Sequence, residues 1–399
     1  MNNVKPVALL LTPVLPQSGG SGRAFRAWDW LQTLGKTHRV HVVVTDPSIK
    51  VSMLHHDLPA EKVIMVGHTL QLTSRTFSRF GMLFPFLVLG SQKFVVDWLH
   101  PVSKKILEIC LAYLADEPVK HILAYRFYLH DVAISLSERF PEAVLELDMD
   151  DYEPQTRLSV AGAQARLGRY ADAVRCLSAA IQYWFLERQV AKRYHTVYLA
   201  SEGDCPQFPR CKGTVIACRP NKIVFPAYLP HAPAIGELRM LFVGSLSYPP
   251  NEEAVRILAT GILPELQRRL KRPFRLCVIG RQPSPEVKSL LKQTEHVDFV
   301  PDADDLAAFY ADSHIVLIPL RAGGGTKLKT LEALAYRCPV ISTRHGVRGL
   351  GAVVGEHYLH AETPMEFAEA VIRLEADPAL AERIAQAGWE LCSRTFRVE

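Results

Sequence analysis

Short, continuously apolar runs alternate along the chain with longer stretches of helical character. Val7–Thr12, Val40–Thr45, Lys62–Met65, His121–Ala124, Val144–Asp148 and Val197–Ala200 read as strands. Gly22–Lys36, roughly Gln92–Ala115 and much of Leu158–Tyr194 read as helices. A strand-and-helix rhythm of this kind predicts parallel sheets covered by helices on both faces, an α/β class. The interval Ala217–Leu238, with prolines at Pro220, Pro226, Pro230 and Pro233, breaks the rhythm and reads as a linker. Two doubly wound domains are expected, with ligands at the carboxyl ends of their strands.

The densest chemistry lies in Ile318–Thr343, IPLRAGGGTKLKTLEALAYRCPVIST. The apolar run HIVLIPL ends at Arg321, and Gly323, Gly324 and Gly325 let the backbone approach a ligand closely. Thr326 is the expected cap of the following helix, whose N-terminus gathers unpaired N–H groups and partial positive charge. Lys327 and Lys329 add full charges, and charge-assisted bonds of about 1.5–3 kcal/mol each hold a diphosphate without metal. Glu332, further along the helix, is badly placed for phosphate and well placed for a ribose diol. The implied ligand is a nucleotide carrying a further group. The alternative is a glycine turn with surface lysines that bind nothing, and the P-loop pattern is absent.

This segment resembles the donor-binding motif of the family 4 (group 1) glycosyltransferases, in a variant with a Gly-Gly-Gly-Thr-Lys loop. The resemblance runs in register over the C-terminal half. RMLFVGSLSYPPNEEAVRILATGILPEL is similar to the family's opening strand, glycine turn and first helix, and FRLCVIGRQ to the second strand and its turn. HVDFVPDADDLAAFYADSHIVLIPL matches the third and fourth strands, and PVISTRHGVRGL and MEFAEAVIRLEADPALAERIAQAGWELC complete the pattern. PVALLLTPVLPQSGGSGRAFRAWDWLQTLGKTHRVHVVVT is similar to the opening of the partner domain. The resemblance implies the GT-B architecture: an acceptor-side Rossmann-like domain, 1–228, facing a nucleotide-sugar-binding one, 229–399, across a cleft.

It also implies roles. Gly244 ends the first donor-domain strand, and Asn251 caps the next helix near the phosphates. Gly280 and Arg281 lie at the second turn, and Val300 falls where the family's backbone meets the base. Lys327 matches a basic residue at the diphosphate, Glu332 the ribose-binding carboxylate; Arg321, Gly323, Gly324, Gly325, Thr326, Leu328 and Lys329 complete the donor loop. Gly19, Gly20, Ser21, Gly22 and Arg23 form a loop that lies in the family against donor phosphates and acceptor, unless it is an ordinary strand-to-helix turn. Arg126, after HILAY, joins Lys327 and Glu332 as a catalytic candidate, with a surface salt bridge as its alternative. The family motif places a glutamate eight positions before Glu332, where this chain has Gly324, and an arginine after the first glycine, where it has Ser245. Lys327 and Arg321 are then left to carry the phosphate charge.

A chain of 399 residues, 48% apolar and 22% charged, suits two globular domains. Its formal charge of +5, without a basic run, gives no reason to expect nucleic acid as a partner. VALLL reads as a strand and not a signal peptide. GMLFPFLVLG, Gly81–Gly90, falls short of the ~20 residues a bilayer span needs and contains Pro85. It reads either as a buried or interdomain helix or as a shallow membrane contact flanked by Arg75, Arg79, Lys93 and Trp98. The eight cysteines point to free thiols in a reducing, cytoplasmic compartment, with the inner membrane face as the site of any lipid contact. Cys205, Cys211 and Cys218, with His195 and His231, lack zinc-finger spacing.

LELDMDDYE contains an Asp-x-Asp pattern, Asp148 and Asp150, of the kind that suits Mg or Mn. It lies far in sequence from the lysines, which make a metal redundant; a structural or acceptor-binding role is expected, with no cofactor. His130 and His345 are left outside the catalytic set. The resemblance implies a retaining, metal-independent transfer of a sugar from a nucleotide diphosphate to an acceptor hydroxyl, on a saccharide, lipid-linked or small-molecule acceptor, in glycan or glycoconjugate synthesis. The competing expectations are a nucleotide-sugar epimerase or hydrolase of the same fold, or a silent nucleotide-sugar-binding subunit. SRTFRVE stands where relatives usually continue into a helix that crosses back to the first domain.

Overall fold

A computed structural model describes residues 5–18, 22–45, 58–65, 106–114, 117–226, 236–303 and 305–398. The chain divides into two compact units, Met1–Pro154 with Ser178–Arg219, and Gln155–Leu177 with Pro220–Glu399. Each unit is thus assembled from two stretches of chain, whereas the linker pattern led us to expect one boundary at 228/229. Residues 227–235 of that linker, Gly19–Ser21 and the apolar run 81–90 lie outside the described residues.

The first unit holds a seven-stranded sheet: β1 Val7–Thr12, β2 Arg39–Val44, β3 Lys62–Met65, β4 Val119–Tyr125, β5 Val144–Asp150, β6 Thr196–Leu199 and β7 Val215–Cys218. Their order is β3-β2-β1-β4-β5-β6-β7, and every pairing is parallel. Successive residues of β1 go to opposite faces. Leu9 and Leu11 join one core with Ile122 and Leu147, and Ala8 and Leu10 join another with Trp30 and Val42. Both faces being covered is why the run is apolar without alternation.

The second unit holds β8 Leu238–Val243, β9 Phe274–Ile279, β10 Val297–Val300, β11 Ile315–Ile318, β12 Val340–Ser342 and β13 Leu359–His360, in the order β10-β9-β8-β11-β12-β13. All are parallel and share one core that includes Phe242, Tyr310 and Phe367. The strand order reverses at β8, so the turns after β8, β9 and β11 are neighbours. That switch point is where open parallel sheets bind ligands.

Local differences from the sequence reading have local causes. The expected helix Leu158–Tyr194 is two helices, Glu153–Arg166 and Tyr170–Val190, parted at Gly168 with φ +75°. Of the helix expected at Gln92–Ala115, residues 106–113 are described and helical. β7 begins inside the cysteine-bearing stretch and reaches into the expected linker. Among the described residues no helix is long and apolar enough to cross a membrane.

Candidate functional site

In the second unit the turns after β8 and β9 are pressed together. Gly244 N–H donates to Ile279 O at 2.9 Å, Leu246 N–H to Arg281 O at 2.8 Å, and Gly280 N–H to Val300 O at 3.1 Å. A Cβ on Gly280 would lie 2.4 Å from the Gly244 carbonyl oxygen, so no side chain fits there. Gly244 in turn leaves room for two polar groups, since a Cβ on it would lie 2.9 Å from both Asn251 Nδ2 and Lys329 Nζ.

Asn251 is not the helix cap expected of it. The helix Pro249–Ile257 is capped by Tyr248, and Asn251 sits in its first turn, buried. Its Nδ2 donates to Ser245 O at 2.8 Å while Lys329 Nζ donates to its Oδ1. Lys329 also lies 4.8 Å from the centre of the Phe242 ring. Burial, reinforced by Lys327 and opposed by Glu332, pushes the Lys329 ammonium down to about 7.

The glycine loop after β11 turns through two positive-φ residues, Gly323 at +117° and Gly325 at +54°. The helix that follows is Leu328–Ala335, and its cap is Lys327 instead of Thr326; the Lys327 side chain makes no capping bond to it. Thr326 is buried one step earlier, where its carbonyl receives Leu328 N–H at 3.1 Å. Lys327 is buried and folds back on the loop, donating to Gly323 O at 3.1 Å and Gly324 O at 2.7 Å. His345 donates from Nε2 to Gly323 O at 3.0 Å. Burial and then the Lys327 charge push His345 down to about 4, which keeps it neutral near pH 7.

Glu332 stands one turn further along, half-buried, and accepts the Tyr310 O–H at 3.1 Å. Burial raises its carboxyl above the ordinary range, against the pull of Tyr310 and Lys329. Leu328 and Val300 are half-buried. Arg321 is exposed and donates to Glu362 O at 3.2 Å, and Arg281, also exposed, pairs with Asp302.

Two residues reach the loop from far off in sequence. Ser159 Oγ accepts Gly323 N–H at 2.9 Å, and the Thr156 side chain lies directly on Gly324. Their segment, Gln155–Leu177, is clasped to the second unit by Gln155 to Arg348 at 2.9 Å, by Arg166 to Glu253 at 3.0 Å and by Arg169 to Glu252 at 2.7 and 2.8 Å. Sequence offered no sign of these contacts; Tyr310 and Tyr248, whose hydroxyl lies 3.3 Å from a Cβ built on Gly323, were also missed.

In the first unit, Gly22 and the exposed Arg23 open the helix Gly22–Gly35. Arg126 is buried, not a surface residue, and has φ +82°. Its guanidinium donates to Asp150 Oδ2 at 3.2 Å and Glu153 Oε1 at 2.9 Å. Asp148 is fully buried and holds Arg26 by two bonds of 2.7 and 2.9 Å, with Trp30 Nε1 and Asp150 N–H, the latter at 2.9 Å, on the same carboxylate. Those four donors commit both oxygens of Asp148 to the fold. Among the described residues no cluster of three or more His, Cys, Asp and Glu side chains could hold a metal ion, and all eight cysteines are free.

The second unit therefore joins glycine turns at a switch point, two lysines at a helix start and a carboxylate one turn on, a set suited to a diphosphate with a diol beyond it. Two Rossmann-like units, with solved neighbours that align over 98% of the chain, make the fold GT-B. Residues 237–377 match the family model described as Glycosyl transferases group 1. No curated protein sequence matches the chain. Among similar solved structures is a sucrose-phosphate synthase from Thermosynechococcus elongatus, 16% identical, covering 98% of this chain and 95% of that one at a TM-score of 0.68. A UDP-forming trehalose-phosphate synthase from Burkholderia xenovorans is 11% identical over 98% and 96%, TM-score 0.67. HepE of Anabaena, in complex with UDP and glucose, is 13% identical over 98% and 96%, TM-score 0.63.

Proposed function

We propose that this protein is a glycosyltransferase that moves a sugar from a nucleotide diphosphate to an acceptor hydroxyl, retaining the anomeric configuration and using no metal. The observation that carries this is the placement of Lys327 and Lys329 at the start of the helix whose next turn bears Glu332. In this reading Lys329 and the loop N–H groups meet the diphosphate and Glu332 accepts from the ribose diol. Positive charge gathered at the helix start, with Lys329 protonated in the complex, would stabilise the leaving phosphate, which takes the acceptor's proton as the glycosidic bond forms. Within the first unit Arg126 holds the end of β5 through Asp150 and Glu153. The solved neighbours named with UDP, including HepE with UDP-glucose, support a uridine donor.

A thermal-shift screen over nucleoside diphosphates and nucleotide sugars, with and without EDTA, tests the reading, because a ligand of the native state raises apparent stability by mass action. A base-selective shift that survives EDTA is expected. No shift with any nucleotide would overturn the donor site, and a shift lost with EDTA would overturn metal independence. Turnover retained by both Lys327→Ala and Glu332→Ala would sink the assignment of these residues.

A further inference from the structure

We propose that Thr156 reads the sugar half of the donor and that Ser159 positions the turn on which that reading depends. The inference rests on the nucleotide-sugar reading above and adds to it two residues that belong to the same compact unit as the loop.

If Glu332 takes the ribose and the helix start takes the diphosphate, the sugar follows at the glycine end of the loop. There the chain has no side chain of its own at Gly324. A Cβ on Gly324 would meet Thr156 Oγ1 at 1.9 Å and Thr156 Cγ2 at 2.7 Å, so the threonine fills the space a loop side chain would take. Thr156 is half-buried, and its hydroxyl makes no hydrogen bond among the described residues. A hydroxyl can donate as well as accept, unlike a carboxylate, and so suits a sugar hydroxyl in either sense.

Its mount is rigid. Gln155, one residue before, accepts from Arg348 at 2.9 Å, and Arg166 and Arg169 engage the buried carboxylates of Glu253 and Glu252. Ser159, one helical turn on, takes the Gly323 N–H at 2.9 Å and thereby sets the turn under Thr156. Ser159 already has a loop partner and acts through the backbone, whereas Thr156 offers a hydroxyl with no partner among the described residues.

The test compares UDP with UDP-glucose, or the corresponding pair of whichever base the wild type binds, by calorimetry. Thr156→Val keeps the volume and removes the hydroxyl. It is expected to leave affinity for the bare diphosphate within about twofold while weakening the sugar conjugate by roughly tenfold, the loss of one hydrogen bond. Thr156→Ser should restore the sugar preference, and Ser159→Ala should weaken both ligands alike. Equal weakening of both ligands by Thr156→Val, or no change in either, would overturn the proposal; retained diphosphate binding reports that the variant is folded. A wild type that binds no nucleotide would overturn the donor reading itself, a result obtained before any variant is made.

Discussion

Tyr310 donates its hydroxyl to Glu332 Oε2 at 3.1 Å while its fully buried ring stacks on Tyr336 with centroids 4.6 Å apart. The bond opposes the burial that raises the Glu332 carboxyl. Ribose binding through this group needs the carboxylate, so affinity should fall as pH drops through its raised titration. Tyr310→Phe removes the opposing bond and should move that acid limb to higher pH, at a cost in stability of about 0.5–1.5 kcal/mol. Nucleotide affinity measured against pH in the two proteins checks this; coincident profiles would separate Tyr310 from ligand binding.

Lys329, pushed down to about 7, gives a second and opposite pH signature. A diphosphate favours the protonated amine, so nucleotide-sugar binding should draw a proton from buffer near and above pH 7 and tighten from pH 8.5 to pH 6. Without ligand, the depressed amine is neutral in the native state and charged in the unfolded chain between about 7 and its ordinary value. Its contribution to stability therefore rises with pH across that window and the penalty is full below it. Calorimetry in two buffers of different ionisation heat counts the proton, and Lys329→Met should abolish the uptake.

Asp148 serves the fold, and its removal should show as lost stability. Asp148→Ala leaves Arg26 buried without its carboxylate and takes an acceptor from Trp30, which should cost about 3–5 kcal/mol in urea unfolding. EDTA should leave wild-type stability unchanged. A stabilising shift with magnesium that Asp148→Ala abolishes would restore the cation reading.

Gly324→Ala should destabilise the second unit by about 1–3 kcal/mol, as overpacking does, because its Cβ runs into Thr156. Thr156→Ala should relieve that strain, so the double variant ought to be more stable than Gly324→Ala alone. Additive losses in thermal unfolding would show that the two side chains do not share this space.

The strands were legible because two-faced burial writes a continuous apolar run, as at Val7–Leu11, every residue of which is no more than 1% exposed. β7 was not, since Val215 is exposed and the other three residues are half-buried in a cysteine-bearing stretch. Lys327, Lys329 and Glu332 were legible from the glycine turn and the helix that follows it. Their neighbours Asn251, Tyr310 and His345 come from other elements, and which of them meet depends on packing that no local pattern encodes. Ser159 is the extreme case, 164 residues from the glycine whose N–H it accepts. Asp148 shows the converse: a cation-binding spacing whose oxygens Arg26 and Trp30 have already taken.

The clasping of Gln155–Leu177 to the second unit imposes an order on biosynthesis. This segment leaves the ribosome before any of its partners in the second unit exist, and β6 and β7 of the first unit are made after it. Arg166 and Arg169 must therefore wait in solvent until Glu252 and Glu253 emerge. Neither unit can be completed as a continuous N-terminal or C-terminal fragment. A fragment beginning at Pro220 would carry buried acidic groups without their arginines, and supplying residues 155–177 in trans is the route by which it should regain its native packing.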